Sequence, residues 1–146
     1  NTYASACGDD VMGNLTLPTD QAEGHLAVEV HTYAPWDWFA QKGKWDASCS
    51  KEIKDMFTRL NKHFISKGIP CIIGEYGTDG SKAVSKKSTA SEIQAAADQA
   101  ADIIRQAKAY GVATFYWTAI FEGEDRNVPE WTLPTVAEAM QKAYNE

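Results

Sequence analysis

A single carboxylate at the end of an apolar run is the group in this sequence best placed to carry chemistry. Glu75 follows residues 70–74, which read Pro-Cys-Ile-Ile-Gly, and it precedes Tyr-Gly. Desolvating a charged side chain is costly unless the charge has a partner or a function. At the carboxyl end of a strand in an α/β protein, such a group usually takes part in catalysis or ligand binding. We therefore predict a functional role for Glu75, with a structural ion pair as the alternative.

A second strand-like segment, residues 25–33, adds further polar groups. Its apolar residues alternate with Glu29, His31 and Tyr33, so strand parity places these three side chains on one face. The same parity places the side chains of Cys71, Ile73 and Glu75 on one face of the strand 70–76. Neighbouring strands would then bring His31, Tyr33 and Glu75 into one pocket. The position of Glu29 in the middle of its strand favours an ion pair within the sheet over catalysis.

Aromatic side chains accompany these polar groups. Trp117 lies in a third strand-like segment, residues 112–119, and Trp36 and Trp38 lie in the loop that follows residue 33. The π-faces of such rings suit the C–H faces of sugar rings; the alternatives are packing under loops for Trp36 and Trp38 and filling of the barrel interior for Trp117. These residues predict an aromatic surface around the pocket.

Helical patterns separate the three strands. We expect residues 1–24 to form a loop, and we expect helices from Ser50 to Gly68, from Thr89 to Gly111 and over 133–144. The resulting order βαβαβα predicts a parallel sheet in an α/β protein, either an open doubly wound sheet or part of a (β/α)8 barrel. No glycine-rich phosphate turn follows a strand, and long loops follow the polar strand ends. Both features favour the barrel.

Composition limits the other function classes. The 146 residues carry a net charge of −6, and no cluster of Lys and Arg interleaves with aromatics, so nucleic acid is not an expected partner. No apolar run approaches about 18 residues, so we predict no membrane span. The cysteines and histidines lack metal-ligand spacing, so we expect neither metal nor cofactor. The sequence does not decide whether Cys7 and Cys49 form a disulfide. Asn1 suggests that upstream sequence has been removed.

Three short motifs together resemble a known family. H-T-Y-A-P-W at 31–36, I-I-G-E-Y-G at 72–77 and F-Y-W-T at 115–118 resemble glycoside hydrolase family 5, in particular the bacterial endo-β-1,4-glucanases, or cellulases. They resemble that family's barrel strands six, seven and eight. The resemblance implies the C-terminal part of a (β/α)8 TIM barrel in one partial catalytic domain, with 1–24 as the loop after strand five and 25–146 as three βα units.

The resemblance also implies roles for individual residues. Glu75 corresponds to the catalytic nucleophile, Tyr33 to a tyrosine that hydrogen-bonds its carboxylate, and His31 to a pocket histidine near the reacting bond. Trp117 corresponds to the aromatic platform under the sugar beside the cleaved bond. Trp36 and Trp38 are candidates for flanking sugar sites. These roles fit a retaining glycosidase, in which one carboxylate attacks the anomeric carbon and a second carboxyl group protonates the leaving oxygen.

The sequence departs from the family at the second carboxyl group. The family's acid/base is a Glu that follows an Asn after strand four, and no Asn-Glu pair precedes His31. A complete barrel needs about 250 residues. We therefore expect a half-barrel that pairs with an N-terminal half-barrel, or with a second copy of itself, and that depends on the N-terminal half for activity.

Several alternatives stay open at this level. The expected ligands are β-glucan polysaccharides or cello-oligosaccharides, and related enzymes also cleave mannan, xyloglucan or mixed-linkage glucan. A non-catalytic glucan-binding module or a self-assembling half-barrel would share the same motifs. A polymeric substrate implies a secreted or cell-surface enzyme.

Overall fold

Three parallel strands, adjacent in the order in which they occur in the chain, form the sheet that positions the candidate site. The structure, a computed structural model, describes residues 7–19, 21–22, 24–35, 45–78, 84–117 and 131–146. The strands are β1 (Val28–Thr32), β2 (Cys71–Tyr76) and β3 (Ala113–Tyr116). The helices are α1 (Asp9–Asn14), α2 (Ala47–His63), α3 (Ala90–Tyr110) and α4 (Pro134–Asn145). The predicted parallel βαβαβα order is confirmed.

The core lies on one face of this sheet. Val28, Val30 and Thr32 of β1 are buried, as are Cys71, Ile73 and Tyr76 of β2. Their apolar side chains share one core cluster with residues of the flanking helices, including Ile53, Phe57, Leu60, Ala97, Ala100 and Ile103. The other face of the sheet carries Glu29 and His31, and in the described structure it is much more accessible.

Helix α2 begins earlier than the sequence predicted. The Asp46 side chain accepts hydrogen bonds from the backbone N–H groups of Ser48 and Cys49, so Asp46 is the N-cap. Ser50 therefore lies inside the helix, and its prediction as the N-cap was wrong. A 3₁₀ turn, Ile65–Lys67, follows the helix, and Gly68 ends that turn in the left-handed region, with φ of 79°.

Both ends of helix α3 follow the sequence signals. Thr89 and Glu92 form a capping box, in which each side chain accepts a hydrogen bond from the backbone N–H of the other residue. At the opposite end Gly111 adopts a φ of 67°, and its N–H bonds the carbonyls of Ala107 and Lys108. The predicted start and stop of this helix are confirmed.

The predicted loop at 1–24 contains a short helix. In α1, Asp9 and Asp10 lie in the first turn, where negative charge favours a helix N-terminus. Asp9 accepts hydrogen bonds from His63 Nε2 at 2.7 Å and from Lys62 Nζ at 3.0 Å, and Met12 is buried in the core. Contacts with α2 therefore stabilise a helix that the polar sequence of this segment does not predict.

Candidate active site

An extra residue in β2 directs Glu75 toward the accessible face of the sheet. Val30 pairs with Ile73, but the next residue of β1, His31, pairs with Glu75, so Gly74 has no partner on β1. Such a bulge changes the face to which later side chains point. The sequence prediction that Glu75 shares a face with Cys71 and Ile73 is therefore wrong, because those two side chains point into the core.

Gly74 also provides room for a neighbouring carboxylate. A Cβ atom at this position would lie 2.0 Å from Glu29 Oε1, a distance that no side chain tolerates without displacing Glu29. The absence of a side chain at position 74 thus permits the close approach of Glu29.

Tyr33 and His31 both contact the Glu75 carboxylate. The Tyr33 hydroxyl donates a hydrogen bond to Glu75 Oε2 at 2.6 Å, and His31 Nδ1 lies 3.4 Å from the same oxygen. The Glu75 side chain is 25% exposed, so solvent screens these contacts only in part. Hydrogen bonds donated to a carboxylate stabilise its charged form. The structure thus brings together the three polar residues that the sequence predicted for one pocket.

Glu29 extends this group by one residue. Its Oε1 lies 3.1 Å from His31 Nε2, so His31 sits between two carboxylates, Glu29 on one ring nitrogen and Glu75 on the other. The Glu29 side chain is 59% exposed. This contact orients the His31 ring, and the ion-pair role of Glu29 stays a prediction.

Trp117 is attached to the same end of the sheet through its backbone. Its N–H donates a hydrogen bond at 2.8 Å to the carbonyl of Tyr76, which is the residue directly after Glu75. Trp117 is 52% exposed, so its ring is accessible. Gly77 packs against it with φ of 148°, and a Cβ there would lie 2.6 Å from the Trp117 carbonyl oxygen. A side chain at position 77 would therefore push Trp117 away.

A cavity of about 230 Å³ is lined in part by Tyr33. Its lining includes Cys7, Met56 and Arg59. The Cys7 thiol donates to the His31 carbonyl at 3.4 Å, and burial raises the pKa of this thiol to about 11 against the opposing effect of Arg59. Cys7 therefore supports the backbone of His31 as an uncharged thiol.

The remaining predictions have different outcomes. Trp36 and Trp38 lie outside the described residues. All three cysteines are free, so the Cys7–Cys49 disulfide is not formed. In the described ranges, no group of three or more His, Cys, Asp or Glu side chains is arranged to hold a metal ion. None of the helices described is both long and apolar enough to cross a membrane.

The sequence patterns did not indicate two residues that lie close to the site, namely Gly74 and Gln99, whose side-chain amide donates hydrogen bonds to the carbonyls of Ala34 and Gly77. Gly74 was noted only as a flanking residue, although a glycine inside a strand is itself a signal for a bulge. Gln99 lies in the alanine-rich buried stripe of α3, and a polar residue at such a position is a signal for a specific hydrogen-bonding role.

The parallel α/β sheet, with its carboxylate, tyrosine and histidine at the carboxyl ends of adjacent strands, has the arrangement that barrel enzymes use for their active sites. The family model described as Cellulase (glycosyl hydrolase family 5) matches residues 1–123, and the chain belongs to this family. The resemblance drawn from the three sequence motifs is thereby confirmed.

Individual relatives agree with this assignment. Endoglucanase 1 of Ruminococcus albus is 31% identical over 99% of this chain and 35% of its own length. Endoglucanase A of the same organism is 28% identical over 95% of this chain and 39% of its own length. The chain thus spans somewhat more than a third of these curated relatives.

Solved structures show the same fold. The endo-beta-mannanase/endo-beta-glucanase PbGH26A-GH5A of Prevotella bryantii is 51% identical, with a TM-score of 0.89, over 97% of this chain and 20% of that chain. A mutant of PbGH5A, a glycoside hydrolase family 5 enzyme of Prevotella bryantii B14 in complex with a xyloglucan tetradecasaccharide, matches with the same identity and TM-score over 96% of this chain and 40% of that chain. The predicted fold class, a partial (β/α)8 barrel, is confirmed.

Proposed function

We propose that this chain is the nucleophile-bearing part of a retaining, endo-acting glycoside hydrolase that cleaves β-1,4-glucan. The observation that carries the proposal is the 2.6 Å hydrogen bond from Tyr33 to Glu75, at the carboxyl end of a parallel strand. A nucleophilic carboxylate must stay ionised, and a hydroxyl donor beside it favours that state.

The proposed reaction has two steps. Glu75 attacks the anomeric carbon, and the glycosidic C–O bond breaks as the bond from Glu75 forms, while a second carboxyl group gives its proton to the leaving oxygen. Water then attacks the anomeric carbon of the glycosyl-enzyme and gives its proton to the second carboxylate, and the bond between this carbon and Glu75 breaks, so that Glu75 is released as a carboxylate. We infer that this acid/base comes from residues outside the 146, supplied by an N-terminal half-barrel.

The neighbours of Glu75 have supporting roles in this scheme. Tyr33 holds the attacking oxygen in place, and His31, fixed by Glu29, lines the pocket next to the reacting bond. The accessible ring of Trp117 supports the sugar beside the cleaved bond, because its π-face suits the C–H face of a pyranose. Trp36 and Trp38 are proposed for flanking sugar sites.

The substrate is proposed as a cellulose-type β-glucan or its oligosaccharides. Xyloglucan is an alternative because the Prevotella relative at 51% identity was crystallised with a xyloglucan oligosaccharide. Mannan is another, since the longer Prevotella bryantii protein PbGH26A-GH5A, which matches at the same identity, is described as an endo-beta-mannanase/endo-beta-glucanase. A polymeric substrate favours a secreted or cell-surface location.

A chimera tests this proposal. The part of the Prevotella family 5 enzyme that precedes the matching region is joined to this chain, and hydrolysis of carboxymethylcellulose, xyloglucan and mannan is measured. We expect β-glucan hydrolysis that Glu75→Gln abolishes, whereas the exposed α4 variant Glu138→Gln retains it.

Two results of this experiment would overturn the proposal. The first is a folded chimera without hydrolysis on any of the three polysaccharides. The second is a Glu75→Gln variant that still hydrolyses. If oligosaccharide binding survives Glu75→Ala but falls with Trp117→Ala in an inactive chimera, the chain is a glucan-binding module instead.

A further inference from the structure

One fully buried polar side chain lies in the otherwise apolar contact face of helix α3. Gln99 is 0% exposed, and the buried α3 residues around it are alanines and Ile103. Its Nε2 donates a hydrogen bond to the Ala34 carbonyl at 2.8 Å and a second to the Gly77 carbonyl at 3.2 Å. One amide group thus connects a helix with two loops that follow adjacent strands.

The two bonded carbonyls flank the candidate site. Ala34 follows Tyr33 directly, and Gly77 lies two residues after Glu75. Gly77 also packs against the carbonyl of Trp117. The Gln99 amide therefore contacts the backbone next to the hydroxyl donor and close to the carboxylate.

The Gln99 NH₂ group holds two backbone carbonyl groups close to each other. Two carbonyl oxygens repel each other when they converge, and a shared NH₂ group turns this repulsion into two attractions. Burying the amide is costly, and its Oε1 has no hydrogen-bond partner in the described residues, so packing alone does not account for a glutamine at this position.

We propose that Gln99 is a positioning residue that sets the separation of the β1 and β2 ends and so maintains the Tyr33–Glu75 hydrogen bond. The catalytic consequence of this inference rests on the proposed function, but the geometric consequence does not. Gln99 acts through the backbone of Ala34 and Gly77 and does not reach the sugar.

The variant Gln99→Met tests the geometric consequence in the chain as it stands. Methionine nearly preserves volume but lacks the two donors. We expect the nuclear Overhauser contact between the Tyr33 ring and the Glu75 methylene protons to weaken strongly or disappear. The same substitution on the exposed face of the same helix, Gln94→Met, is the matched control and should preserve this contact.

A second control separates positioning from general destabilisation. Ile103→Val creates a small cavity in the same buried helix face and lowers the melting temperature without removing a donor. It should leave the Tyr33–Glu75 contact intact. If Gln99→Met does not fold, Gln99→Glu keeps the shape of the side chain but has at most one donor, so it cannot bind both carbonyls and should weaken the same Tyr33–Glu75 contact.

The catalytic consequence is measured in the chimera described above. We expect Gln99→Met to lower kcat about 10- to 100-fold, with a much smaller change in KM, because a small misplacement of reacting groups acts on the chemical step. Combined with Tyr33→Phe, the effects should be strongly non-additive, since both substitutions remove the same hydrogen bond.

Two outcomes would overturn the inference. One is an unchanged Tyr33–Glu75 contact in a folded Gln99→Met chain, and the other is additivity of the two substitutions in kcat. A chimera without hydrolysis would instead contradict the proposed function, and the nuclear Overhauser contact would still decide on Gln99.

Discussion

Tyr33 donates its hydroxyl to Glu75 Oε2 at 2.6 Å, although the two residues are separated by 42 positions in the chain. Two features of the backbone produce this contact. The bulge at Gly74 turns Glu75 to the face that carries His31, and the parallel pairing of β1 with β2 brings the ends of both strands together. The site thus depends on strand register as much as on residue type.

Tyr33→Phe removes the donor and keeps the ring. A hydrogen bond to a charged group contributes about 1.5–3 kcal/mol, which corresponds to a loss of roughly 10- to 150-fold in kcat/KM. We expect this loss in the chimera on soluble β-glucan, with little change in melting temperature because Tyr33 is only half-buried. Full activity in the variant would show that the hydroxyl does not act on Glu75.

Gly77→Ala should reduce both stability and activity. The added Cβ would lie 2.6 Å from the Trp117 carbonyl oxygen, and the φ of 148° is unfavourable for alanine. We expect a loss of about 1–3 kcal/mol in the free energy of unfolding, measured by urea denaturation.

Gly111→Ala is the control for this substitution. Gly111 also has a positive φ, but a Cβ there meets nothing within 4 Å, so the strain is confined to the end of α3. We expect lower stability with normal activity. An active and fully stable Gly77→Ala protein would contradict the role of Gly77 in placing Trp117.

Asp9→Asn should destabilise the chain in a pH-dependent manner. Hydrogen bonds from His63 and then Lys62 lower the pKa of Asp9 below its ordinary value of 3.8. Because the folded pKa is lowered, the stabilisation is fully present above pH 3.8 and is lost as the pH falls through the folded value. Melting temperatures of the two proteins should therefore differ near neutral pH and converge well below pH 3.8.

A neighbouring residue supplies the control. Asp10→Asn also removes one negative charge from the first turn of α1, but it leaves the contacts of Asp9 with α2 intact. Near neutral pH, Asp10→Asn should lower the melting temperature less than Asp9→Asn does. A difference between Asp9→Asn and the original chain that persists unchanged into strong acid would refute the proposed linkage.

Local signals in the sequence predicted the elements well where the determining contacts are local. The Thr89–Glu92 capping box and Gly111 fixed both ends of α3, since these motifs satisfy the backbone groups of the helix itself. The residues His31, Tyr33 and Glu75 were also predicted correctly as neighbours.

The failures concern properties that local patterns do not encode. Strict alternation placed Glu75 with Ile73, and one unpaired residue at Gly74 reversed that orientation. Helix α1 was missed because contacts with α2, rather than its own short sequence, stabilise it. Likewise, the two carbonyls that Gln99 binds lie 65 and 22 positions away in the chain.

Covalent labelling of Glu75 tests the central claim most directly. A 2-deoxy-2-fluoro cello-oligosaccharide with a dinitrophenolate leaving group needs no general acid, so it reports on the nucleophile alone. After incubation with the chimera, peptide mass spectrometry should find the fluorosugar on the peptide that contains Glu75, and Glu75→Gln should not be labelled. Labelling of another carboxylate such as Glu29, or an active chimera that accumulates no adduct, would contradict the assignment of Glu75 as the nucleophile.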